Sequence, residues 1–151
     1  MDPLYAQVAR GHATRVLLAD VAGAARRAMA ALLRSLPEVD LLAEAGTPAE
    51  LRRALLRTPV DVLVVDDRLV NVPELDLRDA GVALIVVGLD DDPSFAQRAR
   101  GLGALTWIPK ECAAELLPDA LRPRSSSGSG PPCAEGPRPA TEAACTSATR
   151  Q

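Results

Sequence analysis

The chain has 151 residues, 48% of them hydrophobic, with aromatics at only 2% and a formal net charge of −3. That supports one domain whose core is packed by Ala, Val and Leu, and the acidic balance argues against a nucleic-acid surface. No apolar run approaches the ~18 residues of a membrane span, the first fifteen residues hold no apolar export segment, and one His with three scattered Cys makes no metal-ligand cluster.

Short apolar runs alternate with helical stretches over residues 15–121, which predicts β/α units on a parallel sheet. The first strand is Arg15 to Ala19. A first helix follows from about Ala22 to Ser35, with Met29, Leu32, Leu33 and Leu36 at helical spacing and Pro37 marking its end. The second strand is Val39 to Ala45, with Glu44 placed away from the core by alternation. Thr47-Pro48-Ala49-Glu50 opens the second helix with a capping box: an N-cap Thr, a first-turn Pro and a Glu three residues on. Pro59 lies beyond that helix. Val60 to Val65, apolar apart from Asp61, reads as a central strand buried on both faces.

The stretch before the fourth strand (about Val82 to Val87) is short, leaving room for a two-turn helix at most, over Pro73 to Ala80. A fourth helix is expected from Asp92 (N-cap) and Pro93 to about Arg100, closed by Gly101 and Gly103. The fifth strand is Ala104 to Ile108. A fifth helix runs from about Cys112 to Leu121, with Pro118 expected to bend it or cut it short. Residues 1–14 form an N-terminal extension. Residues 122–151, rich in Pro, Ser, Gly and Ala, have almost nothing to bury and are expected to be a disordered tail. Free thiols at Cys112, Cys133 and Cys145 and a cytoplasmic location are the simplest reading of the cysteine usage.

Two of the apolar strands end in acid, at Asp20 and Asp66. Lys110, the sole lysine beside sixteen arginines, follows the fifth. Parallel strand ends share one edge, so two carboxylates and an ammonium are expected to converge in one crevice. Such a group can hold a phosphoryl group or a metal-bound anion. A purely structural reading fits the same residues: strand-end acids held by loop amides, with Lys110 as their salt-bridge partner.

The phrases Arg15-Val-Leu-Leu-Ala-Asp20, Pro59-Val-Asp-Val-Leu-Val-Val-Asp66-Asp-Arg68 and Ala104-Leu-Thr-Trp-Ile-Pro-Lys110, in that order and spacing, resemble the receiver domain of bacterial two-component response regulators. The resemblance covers about residues 15–121. It implies a flavodoxin-like α/β sandwich with helices on both faces of a five-stranded parallel sheet; in this chain the segment between Asp66 and strand four is several residues short, so that helix three is expected to be short or missing. It also implies a phosphoryl group accepted from a sensor histidine kinase. By position, Asp66 matches the phosphoacceptor, Asp20 the first of two acids after strand one, and Lys110 the lysine that pairs with phosphoryl oxygens. Arg68 matches the residue whose backbone carbonyl completes the Mg2+ shell, and Trp107 the aromatic switch.

The chain departs from that pattern. Val21 replaces the second acid, the family's direct metal ligand. Gly88 stands after strand four, where a Thr or Ser hydroxyl normally holds the phosphoryl group and couples it to the aromatic switch. Phosphorylation of Asp66 is therefore expected to be impaired, and any Mg2+ held by Asp20, Asp66 and the Arg68 carbonyl to be weak or absent. Asp67 is a poor substitute ligand, because strand alternation turns it away from Asp66. Asp91 and Asp92 are expected to dress the start of helix four. Without its hydroxyl partner, Trp107 reads as a partly exposed interface residue.

The leading expectation is a stand-alone signalling receiver without enzymatic activity, docking to a sensor histidine kinase or another regulator through helix four, strand five and helix five. The alternative is a phosphorylation-independent pseudo-receiver. The resemblance also allows a homodimer. A nucleotide-binding or enzymatic domain is disfavoured, because no Gly-x-Gly-x-x-Gly or Walker-type loop is present. Specific DNA reading by Arg122, Arg124, Arg138 and Arg150 is disfavoured as well, since four dispersed arginines are too few.

Overall fold

The computed structural model describes residues 13–70, 81–89 and 94–122. Its elements run β1 (Thr14–Ala19), α1 (Gly23–Ser35), β2 (Val39–Ala45), α2 (Pro48–Arg57), β3 (Val62–Asp66), α3 (Asp67–Val70), β4 (Ala83–Gly88), α4 (Phe95–Gly101) and β5 (Thr106–Pro109). A single 3-10 turn (Lys110–Cys112) then leads into α5 (Ala113–Leu121). The five strands form one sheet in the order β2-β1-β3-β4-β5, and every neighbouring pair is parallel. This is the flavodoxin-like, three-layer arrangement that the sequence predicts.

The central strands are apolar on both faces because both faces are covered. Val16, Leu18, Val62, Val64, Ile85 and Val87 meet Met29 and Leu33 of α1 and Leu117 and Leu121 of α5. The alternate residues Leu17, Ala19, Leu63, Val65, Leu84 and Val86 meet Leu51 of α2, Leu69 and Val70 of α3, and Phe95 and Ala99 of α4. Period-2 alternation thus divides each strand between two cores, and each fully buried Leu or Ile contributes roughly 2 kcal/mol relative to exposure. The edge strand β2 alternates half-buried and exposed positions up to Glu44, and Glu44 pairs with Arg34 at 2.8 Å.

Local signals explain the helix ends. Thr47 Oγ1 accepts the Glu50 amide at 3.2 Å, while the Glu50 carboxylate takes the Gly46 amide at 2.6 Å, one residue ahead of the capping-box position. At the end of α4, Gly103 adopts φ +73°. Its amide bonds Arg100 O and the Ala104 amide bonds Ala99 O. This is a Schellman closure, and its left-handed residue is best supplied by glycine.

The structure differs from the sequence expectation in three places. Strand three begins at Val62 rather than Val60 and runs on through Asp66. Asp61, just ahead of it, is buried and takes the Arg15 amide (2.9 Å) and guanidinium (2.9 and 3.1 Å). Strand five begins at Thr106 rather than Ala104 and runs on through Pro109, whereas α5 continues past Pro118 to Leu121, the end expected for it, because burying Leu117 and Leu121 outweighs the missing amide so close to the helix end. Thirdly, Cys112 is buried and disulfide-bonded, so the free-thiol expectation fails there.

The helix expected over Pro73 to Ala80, the caps Asp92 and Pro93, Asp90 and Asp91, residues 1–12 and the tail from 123 onward lie outside the described residues. Among the described residues, α3 is a four-residue helix that starts directly after β3. No described helix is long and apolar enough to cross a membrane.

Candidate functional site at the carboxyl edge of the sheet

β1 and β3 are neighbours, while the chain between them visits the sheet edge at β2. The strand order therefore reverses between them and opens a crevice at their carboxyl ends. Asp20 follows β1 and Asp66 ends β3, so one carboxylate lines each side, and both are fully buried. Lys110 follows β5 and reaches across the end of β4. Residues 44 and 90 positions apart along the chain from Lys110 thus meet at one point.

The Lys110 Nζ lies 2.5 Å from Asp66 Oδ2 and 3.0 Å from Asp20 Oδ2, and it also donates to Asp20 Oδ1 at 3.2 Å. Asp20 Oδ1 accepts the Ala22 amide at 2.8 Å. Its Oδ2 is buried and takes no well-aligned hydrogen bond, despite the close ammonium. The Arg26 guanidinium crosses the same loop and bonds the Asp20 carbonyl at 2.7 Å.

Asp66 is more completely engaged. Its Oδ1 accepts the Arg68 amide at 2.7 Å and the Arg68 Nε at 3.2 Å, and its Oδ2 accepts the Arg68 Nη2 at 3.2 Å. The same Nη2 stands 3.9 Å from Asp20 Oδ1. Burial alone would raise the Asp66 pKa. The hydrogen bonds from Arg68 and Lys110 and the Lys110 charge outweigh it and hold the carboxyl below the ordinary carboxylate range. In turn, the Asp66 carboxylate pushes the Arg68 guanidinium up.

Asp67 opens α3 rather than continuing the strand, and its carboxylate forms an ion pair with Arg98 of α4. Val21 is 42% exposed and supplies no charge to the crevice. Beside Gly88, a Cβ would stand 2.9 Å from the Phe95 ring and 3.1 Å from the Asp67 Cβ. A side chain added at this position would therefore press first on a buried phenyl ring and on the Asp67 Cβ. That ring packs edge-on against Trp107, with centroids 5.2 Å apart and planes at 75°. Trp107 is half-buried, and its indole N–H is buried without a partner.

The sequence reading placed Asp20, Asp66, Lys110 and Arg68 near one another, and the structure brings all four together. It expected a backbone carbonyl from Arg68, whereas the groups that Arg68 engages here are its amide and its guanidinium. It missed Phe95 altogether. The available signal was that the chain's single phenylalanine opens the helix that follows Gly88.

The described residues do not fit a resident Mg2+. The ion wants several oxygen ligands with free lone pairs, but both Asp66 oxygens are taken by cationic donors, and the third carboxylate of the pattern is Val21. Among the described residues, no three His, Cys, Asp or Glu side chains gather as a metal site.

No protein-family model matches the chain. It is 31% identical over 111 residues to protein-glutamate methylesterase/protein-glutamine glutaminase 1 of Rhizobium johnstonii, a match covering 69% of this chain and 32% of that protein. It is 28% identical over 106 residues to the transcriptional regulatory protein UhpA of Salmonella typhimurium, covering 68% of this chain and 54% of that one. The chain belongs to the response-regulator receiver family. Its fold matches the response regulator RcsB of Salmonella typhimurium with a TM-score of 0.63 at 19% identity, over 73% of this chain and 58% of that one. The receiver thus spans about a third of the methylesterase's length and about half of UhpA's. Within the family it is an atypical member, with its acid pair and lysine kept and with Val21 and Gly88 at the two positions where the pattern asks for an acid and a hydroxyl.

Proposed function

We propose that this receiver domain acts as a protein-interaction module whose state does not depend on phosphorylation of Asp66. One observation carries the reading: the volume beside Gly88 is occupied by Phe95. Phosphoryl transfer to a carboxylate requires donors and cations placed around the equatorial oxygens. A chain that had merely lost a hydroxyl would leave space for water to replace it. Here a Cβ on residue 88 would already stand 2.9 Å from the Phe95 ring, so a hydroxyl-bearing side chain would enter only by moving that ring.

The occupied Asp66 carboxylate supports the same conclusion. An incoming phosphoryl donor would have to displace the Arg68 guanidinium and share Lys110. The partner is a protein, either a sensor histidine kinase or another regulator, met in the cytoplasm through α4, β5 and α5. A net charge of −3 works against a polyanionic partner. The domain itself catalyses no reaction.

The test is direct. Incubation of the full chain with Mg2+ and saturating acetyl phosphate, followed by intact-mass measurement, gives no phosphoryl adduct. A stable adduct that disappears in Asp66→Asn would overturn the proposal and restore Asp66 as a working phosphoacceptor.

A further inference from the structure

The acid pair at the crevice carries two negative charges on fully buried side chains. Buried carboxylates are tolerated only when paired, because an unpaired charge away from water loses its solvation with nothing to replace it. In a site that uses a divalent cation, the ion supplies that neutralisation. This chain has lost one of the acids that would hold the ion, and what faces the remaining two is a guanidinium and an ammonium. Two negative charges meet two positive ones without any added ion.

We infer that Arg68 is a built-in replacement for the metal. Its fork spans Asp66 through Nε and Nη2 and extends toward Asp20, while Lys110 closes the other side. A planar guanidinium suits this role, since it stays charged and bonds a carboxylate through two parallel N–H groups. The Arg68 amide on Asp66 Oδ1 fixes the carboxylate so that it faces the fork. The Arg68 side chain is 60% exposed, so it closes the crevice from the solvent side and holds the oxygens that a divalent ion would need.

This deepens the phosphorylation-independent reading and rests on Asp66 standing outside phosphoryl chemistry. Its test uses no phosphodonor, so the two can fail separately.

Melting of the full chain is followed by the fluorescence of Trp107, the single tryptophan, with and without millimolar Mg2+. The expected result for the native sequence is no shift. Arg68→Gln and Arg68→Ala melt lower without the ion, and Mg2+ raises each of them by about 4 °C or more, because a ligand that binds only the folded state stabilises it. A merely structural Arg68 would lower the melting temperature without creating any response to Mg2+. The inference is overturned if the native protein gains as much from Mg2+ as the variants do, or if folded variants gain nothing. Should neither variant fold, calorimetric titration of the native protein with Mn2+ decides. Absence of binding upholds the inference, and stoichiometric binding lost in Asp66→Asn overturns it.

Discussion

Lys110 shows how much one residue can carry. It is 17% exposed and touches both buried carboxylates, so its loss leaves two acids with only the solvent-facing Arg68 to oppose them. Removing one member of a buried charge network costs about 3 kcal/mol. Lys110→Ala is expected to lower the urea midpoint by that equivalent. In an Asp66→Asn background the same change costs distinctly less, because one carboxylate rather than two is then left without its ammonium and no acid pair remains to repel. Equal costs in both backgrounds would mean that Lys110 acts through its packing rather than its charge. The chain's bias toward arginine makes the choice of lysine informative: the compact ammonium reaches two carboxylates at once, which a flat guanidinium at the same place would do less well.

At the scale of elements, β4, α4 and β5 form one packed unit around Gly88, Phe95 and Trp107. The β4 strand ends in a residue without a side chain, and α4 delivers a ring into the gap. The ring in turn braces the indole on β5. In a receiver with a hydroxyl at that strand end, the same space is where a switch would move. Here that space is met by the Phe95 ring, which packs edge-on against Trp107. Gly88→Thr is expected to destabilise the domain by about 1–3 kcal/mol through overpacking. In a Phe95→Ala background that cost shrinks by at least about 1 kcal/mol, since the added atoms then enter a cavity. Chemical denaturation of the four proteins in the cycle measures this. An unchanged cost would place the clash on Asp67 instead of Phe95.

For the whole molecule, the crevice ties stability to pH. The folded-state pKa of Asp66 is depressed, so in acid the unfolded chain binds its proton first. The stabilisation from Asp66 is fully present above the unfolded value of about 4. It is lost as pH falls from there through the lower folded value, and within that window stability rises with pH. Urea midpoints measured from about pH 5 down to pH 3 should therefore fall more steeply for the native chain than for Asp66→Asn. The same slope in both would remove Asp66 as the coupled group. The acid pair sits where β1 and β3 separate, so this coupling reports on the centre of the sheet rather than on a loop.

The sheet, the order of its elements and the two-sided core were legible from the sequence, because apolar runs, capping residues and closing glycines are local signals that tertiary packing reinforced. The convergence of Asp20, Asp66 and Lys110 was also legible, since parallel strands must end on one edge. Phe95 was not, nor was the use of the Arg68 side chain rather than its carbonyl. A side chain's position in sequence says which strand end it follows, but not which way a guanidinium folds back, and a glycine reads as a missing group until something is seen to fill its space. The order of apolar and charged residues along the chain carries the fold and the charges brought to the crevice. The contacts of Arg68 with Asp66 and of Phe95 with Gly88 became visible only in the folded chain, because both depend on long-range packing and on how flexible side chains settle.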